Sequence, residues 1–237
     1  MNVNDWLDER VILEAFAGST VYGTSLPTSD KDYRGIAVPP EDYTLGIESF
    51  KQSVSREPDR TIYSLQRWVE LALQGNPNIL EILWTPENYY VKRTPQGRLL
   101  IENRDLFLSK RLKARYLGYA QSQLYRLQRL NKNVNNNPER LKSFELYGFC
   151  TKNAQHLVRL MRTCLEILTE ETVHVQRYDA AELLEIRAGK WSLDKIYAEE
   201  RRLARLIDEA IVTTTLPAKP NRGAVNEMVK TIVRGML

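Results

Sequence analysis

Gly18-Ser19-Thr20-Val21-Tyr22-Gly23-Thr24-Ser25-Leu26-Pro27-Thr28-Ser29-Asp30-Lys31-Asp32-Tyr33-Arg34-Gly35 is the stretch from which a fold and a chemistry can both be argued. Upstream, Val11–Ala17 is a β-type run that ends on Gly18-Ser19. Missing bulk at such a turn lets backbone N–H groups approach a phosphate oxygen. Downstream, Asp32–Val38 is a second strand, closed by Pro39-Pro40, and Thr24–Ser29 between them is turn material. Strand side chains alternate faces, so Asp30 and Asp32 point the same way. Two carboxylates on one face repel unless a cation sits between them. Such oxygen pairs suit Mg²⁺, which takes one or two carboxylates together with substrate phosphates.

Working outward, Thr61–Leu65 is a third short strand running into a helix that carries Leu65, Trp68, Val69, Ala72 and Leu73. Gly75 caps that helix, and Pro77 opens the next, Asn78–Trp84. Tyr89–Lys92 is a fourth strand. From Ser109 onward the pattern is helical: Arg111–Asn131, Phe144–Thr169, Asp179–Ile186, Leu193–Ala210 and Ala224–Val233. Asn133–Pro138 is a polar loop, and Pro217–Pro220 is a linker. The fold class expected is α+β: a mixed front half followed by an all-helical back half, divided as residues 1–108 and 109–237.

The 237 residues are 43% hydrophobic and 27% charged, which excludes a disordered or fibrous chain. The longest apolar runs fall far short of the roughly 20 residues that span a bilayer. The acidic start, with Asp5, Asp8 and Glu9, is unlike a signal peptide. Cys150 and Cys164 offer neither a disulfide framework nor zinc spacing. A cytoplasmic protein with no membrane association is expected. The net charge of +4 is unevenly spread: −5 over residues 1–108 and +9 over 109–237. Ser109–Lys142 holds nine basic residues and one acid, Glu139. Lys110, Arg111, Lys113, Arg115, Arg126, Arg129 and Lys132 alternate there with Tyr116, Tyr119 and Tyr125. A solvated amphipathic helix is the plain explanation; the missing acids favour a polyanion surface with stacking aromatics, suited to single-stranded RNA.

The Gly-Ser turn followed by Asp-x-Asp resembles the nucleotidyltransferase superfamily typified by DNA polymerase β. More closely, Tyr22-Gly23-Thr24, Ser29-Asp30-Lys31-Asp32-Tyr33-Arg34-Gly35 and Asn76-Pro77-Asn78-Ile79-Leu80-Glu81 resemble the nucleotidyltransferases associated with bacterial and phage RNA-repair ligases. Glu102-Asn103-Arg104, Phe107-Leu108-Ser109 and His156–Arg162 extend the likeness over nearly the whole chain. The resemblance implies a small mixed-sheet core and transfer of NMP from an NTP such as ATP to an acceptor hydroxyl, with Mg²⁺ or Mn²⁺ as cofactor. It implies that Gly18 and Ser19 seat the triphosphate, with Thr24 and Ser29 beside them, and that Asp30 and Asp32 hold the metal. The superfamily needs a third carboxylate. Asp59, just before the third strand, is the choice, with Glu57 and Glu70 as substitutes; Ser64, read as facing inward, carries no acid.

Other residues keep two readings. Arg34 shares the side of Asp32 and either contacts a phosphate or pairs with an aspartate. His156, Arg159 and Arg162 share a helix flank and form either a triphosphate clamp or buried structure. The Asn76–Glu81 run reads first as a helix start. Trp6, Trp68, Trp84 and Trp191 read as packing anchors, and His174 as surface. An RNA 3′ end is the expected acceptor. Two rival functions are a non-catalytic RNA- or nucleotide-binding module without its third acid, and a toxin–antitoxin component with a protein partner.

Overall fold

The computed structural model describes residues 3–127 and 138–237, which divide into two compact units. The first unit is built on a five-stranded mixed sheet of order β3-β4-β2-β1-β5. In chain order come α1 (Leu7–Arg10), β1 (Val11–Ala17), α2 (Ser19–Tyr22), β2 (Asp32–Ala37), α3 (Glu41–Thr44), β3 (Gln52–Arg56) and β4 (Asp59–Ser64). Then follow α4 (Leu65–Leu73), α5 (Pro77–Leu80), β5 (Tyr90–Arg93) and α6 (Pro95–Glu102). The second unit holds α7 (Arg111–Leu127), α8 (Pro138–Tyr147), α9 (Thr151–Glu170), α10 (Ala180–Arg187) and α11 (Leu193–Thr213). The last helix, α12 (Arg222–Arg234), returns to the first unit, whereas the sequence reading ran the helical half through to Leu237. It buries Val225, Met228 and Ile232, and the chain there is tied by Asn221 N–H to Leu106 O (3.1 Å) and by Arg10 to Met236 O (2.6 Å).

β1 lies inside the sheet between β2 and β5 and is buried on both faces over Val11–Ala15, hence its near-continuous apolar run. Only the β2–β4 pair is parallel, and the register sets Asp32 opposite Asp59 and Arg34 opposite Thr61. Side chains therefore sort by parity. One face carries Ala15 and Ala17 of β1, Asp32 and Arg34 of β2, and Asp59 and Thr61 of β4. The other carries Glu14, Gly35, Arg60 and Ile62 and is covered by Trp6, Leu7, Tyr43 and Phe50. Arg60 is held there by Glu14 (2.5 Å) and Asp8 (2.7 Å), which pins the first turn of β4 behind Asp59.

Helix α4 starts at Ser64, whose hydroxyl accepts from Arg67 N–H, and buries Leu65, Trp68, Val69 and Ala72. Trp68 meets Phe107 edge-on at 5.3 Å and donates to Ile79 O at 3.2 Å. All four tryptophans are buried, as packing anchors should be. In the second unit the sequence reading drew one helix over Phe144–Thr169. The structure breaks it at Gly148, which takes φ +75° and lets α8 end before α9 begins. Among the described residues no helix is long and apolar enough to cross a membrane.

Candidate active site

Strand β1 ends at Gly18, whose φ of +64° and ψ of −143° lie where only glycine sits without strain. The reversal starts the single-turn helix α2, with Val21 and Tyr22 N–H groups both donating to Gly18 O at 3.1 Å. Thr24 is buried, and its N–H donates to Ser19 O at 3.0 Å, closing the turn. Ser29 closes the following loop: its hydroxyl accepts from Leu26 N–H and its N–H donates to Leu26 O, both at 2.9 Å.

The first aspartate pair meets this turn through Asp32. A β-carbon placed on Gly18 would lie 2.5 Å from Asp32 Oδ2. So the carboxylate rests on the glycine, and the two halves of the motif, fourteen positions apart, are in contact. Asp59 faces Asp32 across the parallel ladder and is half exposed. Burial and then the neighbouring Asp59 push the Asp32 carboxyl above its ordinary value of 3.8; a hydrogen bond with Asp59 and the charge of Asp30 add to this, and Arg34 opposes it. Asp30 is exposed in the loop before β2.

Arg34 resolves toward pairing: its Nη1 lies 3.2 Å from Asp59 Oδ1 and donates to Tyr33 O at 2.7 Å. Ser64, read from sequence as inward-facing, has the opposite parity to Asp59 and serves as the α4 cap. Glu70 is engaged by Arg67 on α4 at 2.6 Å, while Glu57 stands exposed in the β3–β4 turn. A cavity of about 570 Å³ opens beside Asp59, lined among others by Asp30, Lys31, Tyr33, Arg56 and Glu57. That is within the usual range for small-molecule sites, roughly 300–1,000 Å³.

Whether these residues suit a divalent cation can be asked of the donors themselves. Among the described residues no three Asp, Glu, His or Cys side chains converge into a closed metal cage. A Mg²⁺ held by a nucleotide does not need one, because phosphates and waters supply the remaining ligands. Asp32 and Asp59 are hard oxygen donors whose mutual repulsion a cation would relieve, and they fit that partial set.

The residues proposed as a clamp lie in the second unit. Arg162 contacts Asp179 (2.8 Å), Glu182 (2.5 Å) and Glu199 (2.9 Å). Three carboxylates thus take up the guanidinium, which corrects the reading of Arg162 as a phosphate ligand. Arg159 is buried. His156 is pushed down to about 3 by burial, with Arg159, Lys152, Arg187 and Arg140 acting in the same direction. It is a neutral imidazole at pH 7. His174 pairs with Glu170 at 2.6 Å on an exposed helix end.

On the basic helix, Tyr116 is core and Lys113 pairs with Asp208 at 2.7 Å. Arg111, Arg115, Tyr125 and Arg126 are exposed. Arg129, Lys132 and the polar loop up to residue 137 lie outside the described residues, and Pro138 opens α8. Sequence reasoning missed strand β3, and with it Arg56, the register partner of Asp59. It read Glu81 as a helix-capping or pocket-lining residue at the end of the Asn-Pro-Asn-x-Leu-Glu run and did not foresee its bond to Tyr22, whose hydroxyl donates to Glu81 Oε2 at 2.5 Å.

Comparison with known proteins adds three findings. Residues 2–230 match a family model described as the RNA repair pathway DNA polymerase beta family. A 38.9 kDa protein of Enterobacteria phage T4 is 32% identical over 128 residues, 48% of this chain. The aligned part spans 38% of the phage protein's length. A spectinomycin adenyltransferase from Enterococcus faecialis, solved with ATP and spectinomycin, aligns over 98% of this chain and 94% of its own at 13% identity, with a TM-score of 0.40.

Proposed function

The chain belongs to the RNA repair pathway DNA polymerase beta family; from that premise we propose that it is a nucleotidyltransferase, moving a nucleoside monophosphate from an NTP to a hydroxyl at an RNA 3′ end. The observation that carries the reading is the Asp32 carboxylate, set against the Gly18 turn on one side and facing Asp59 on the other. Catalysis of this kind is mainly positioning and charge neutralisation.

In this reading Gly18 and Ser19 seat the triphosphate, and Asp32 and Asp59 hold Mg²⁺ or Mn²⁺, with Asp30 exposed in the loop beside them. Such an ion, when bound, neutralises charge on the phosphates and makes a coordinated hydroxyl more acidic. The acceptor oxygen forms a bond to the α-phosphorus, the bond to the pyrophosphate oxygen breaks, and Asp59 takes the acceptor's proton. Arg34 keeps Asp59 aimed until substrate arrives and then has phosphate within reach. The acidic first unit carries the chemistry, and the exposed cations of α7 hold the RNA. The rival reading of a binding module without a third acid is disfavoured by the place of Asp59 opposite Asp32.

Labelled NTPs, Mg²⁺ or Mn²⁺ and a pool of RNAs test this directly. Label reaches RNA with the wild type and not with Asp32→Ala. Transfer that survives this substitution overturns the mechanism.

A further inference from the structure

A four-residue helix does not hold itself. Forming one turn fixes several backbone dihedrals for a single hydrogen bond, so α2 needs an outside support. Its own bonds only loop back to Gly18 and Ser19. The outside support is visible at its last residue. The Tyr22 hydroxyl donates to Glu81 Oε2 at 2.5 Å, across 59 positions of sequence. Both residues are buried, Tyr22 at 6% and Glu81 at 7% exposure.

The far end of this contact is itself fixed. Glu81 begins a 3-10 turn directly after α5. Trp68 grips the carbonyl of Ile79 at 3.2 Å, and Thr85 Oγ1 donates to the carbonyl of Glu81 at 3.1 Å. Asn76 caps the segment through Asn78 N–H at 3.1 Å. A buried carboxylate on a braced element thus ends on the hydroxyl that terminates the phosphate turn. Bonds to a charged acceptor are stronger than neutral ones, more so away from water.

We propose that Glu81 is a positioning residue that fixes the Gly18–Ser19 turn through Tyr22, so that the NTP's phosphates meet a preformed site. This inference rests on the reading of that turn as the triphosphate seat. It also gives one physical reason for two parts of the sequence, Tyr22-Gly23-Thr24 and Asn76–Glu81, which lie far apart in the chain.

The variants are Tyr22→Phe, which deletes one oxygen, and Glu81→Gln, which keeps the shape and an acceptor. Hydrogen exchange in the absence of nucleotide reads the strut by itself. Amides of Ser19–Gly23 exchange at least tenfold faster in Tyr22→Phe than in wild type, while those of β4 do not change. Equal exchange at Ser19–Gly23 overturns the strut. With ATP and Mg²⁺, Tyr22→Phe raises the dissociation constant about tenfold and Glu81→Gln about threefold or less. In turnover the loss falls on the KM for ATP rather than on kcat. An unchanged ATP affinity in Tyr22→Phe overturns the positioning role even where exchange is faster. Wild-type protein that fails to bind ATP speaks against the nucleotidyl reading, and the exchange result then still decides the strut.

Discussion

The Asp32 carboxylate lies so close to the Gly18 α-carbon that a β-carbon at position 18 would come within 2.5 Å of Asp32 Oδ2. Two constraints meet at this glycine. Its φ of +64° strains any other residue, at about 1–3 kcal/mol. Its missing side chain is also the space that the carboxylate occupies. Gly18→Ala should therefore displace Asp32 while leaving the sheet formed. The expected outcome is at least a tenfold loss of ATP·Mg²⁺ affinity with the far-ultraviolet circular dichroism spectrum retained. Unchanged affinity by calorimetry would show that the contact is dispensable.

The Asp32 carboxyl makes the free protein pH-sensitive. Asp32 has a folded-state pKa above its unfolded value of 3.8, chiefly from burial and then from Asp59. Such a group supports folding while protonated, and that support is lost as pH rises through the raised value. At neutral pH the ionised Asp32 carboxylate, beside Asp59, opposes folding. Because both side chains are partly exposed, solvent screening keeps this below about 1 kcal/mol. Asp32→Asn should then melt slightly higher than wild type without metal. Millimolar Mg²⁺ should raise the wild-type melting temperature and leave the variant's unchanged. A variant that melts lower and still responds to Mg²⁺ would place the cation elsewhere.

How far the sequence carried this site follows from burial. β1 announces itself because both of its faces are buried, so its residues run apolar but for Glu14. β3, Gln-Ser-Val-Ser-Arg, is an exposed edge strand with no apolar alternation to read. Without β3 the extent of β4 was hidden as well, so Asp59 looked like a residue before the strand rather than its first ladder partner to Asp32. The Gly18–Asp32 meeting was legible in the spacing of the turn and the acids, whereas the strand parity drawn from Asp30 to Asp32 fails because β2 begins at Asp32 and Asp30 stands exposed in the loop before it. The Glu81–Tyr22 bond was not, since nothing local links positions 59 apart. Helix α12 was read as helix correctly, but which unit its apolar face joins is a tertiary matter.

The second unit depends on buried charge. The Arg177 side chain is fully buried and bound by Glu166 at 2.5 and 2.7 Å and by Asp179 at 2.8 Å. Glu166→Ala removes the carboxylate that takes both Nη atoms, leaving only Asp179 as an acidic partner, and should cost about 3 kcal/mol, the low end of the roughly 3–5 usual for breaking one partner of a buried pair. Urea unfolding followed by the fluorescence of Trp191 reads it. A loss under about 1 kcal/mol would mean that water replaces the carboxylate.

His156 sharpens the pH behaviour of the same unit. A histidine lowered to about 3 in the folded protein supports folding fully above its ordinary value of 6.5, and that support fades as pH falls below it. Asp179 and Glu199 are lowered too, Asp179 by Arg177 and Arg162 against the pull of burial, and Glu199 mainly by Arg202. Their support is lost at still lower pH, below their ordinary values of 3.8 and 4.5. The His156 ring proton signal should show no titration step between pH 5 and 8. A step near 6.5 would mean an open, hydrated imidazole.

The proposed binding of RNA by α7 would carry an electrostatic signature that a folded but inert helix lacks. Arg111, Arg115 and Arg126 are exposed, and each phosphate contact releases counterions. Plotting log affinity against log salt for a single-stranded RNA should give a straight line of negative slope. Replacing any one of these arginines by alanine should make the slope shallower by about 1 if that residue meets a phosphate. Tyr125, 58% exposed on the same helix, acts differently. Stacking on a base is insensitive to salt, so Tyr125→Ala should lower affinity at all salt concentrations by about 1–3 kcal/mol and leave the slope alone. The two kinds of substitution are therefore separable on one plot. A flat salt response in the wild type would assign the acceptor to another chemistry and leave the charge of α7 as solvated surface.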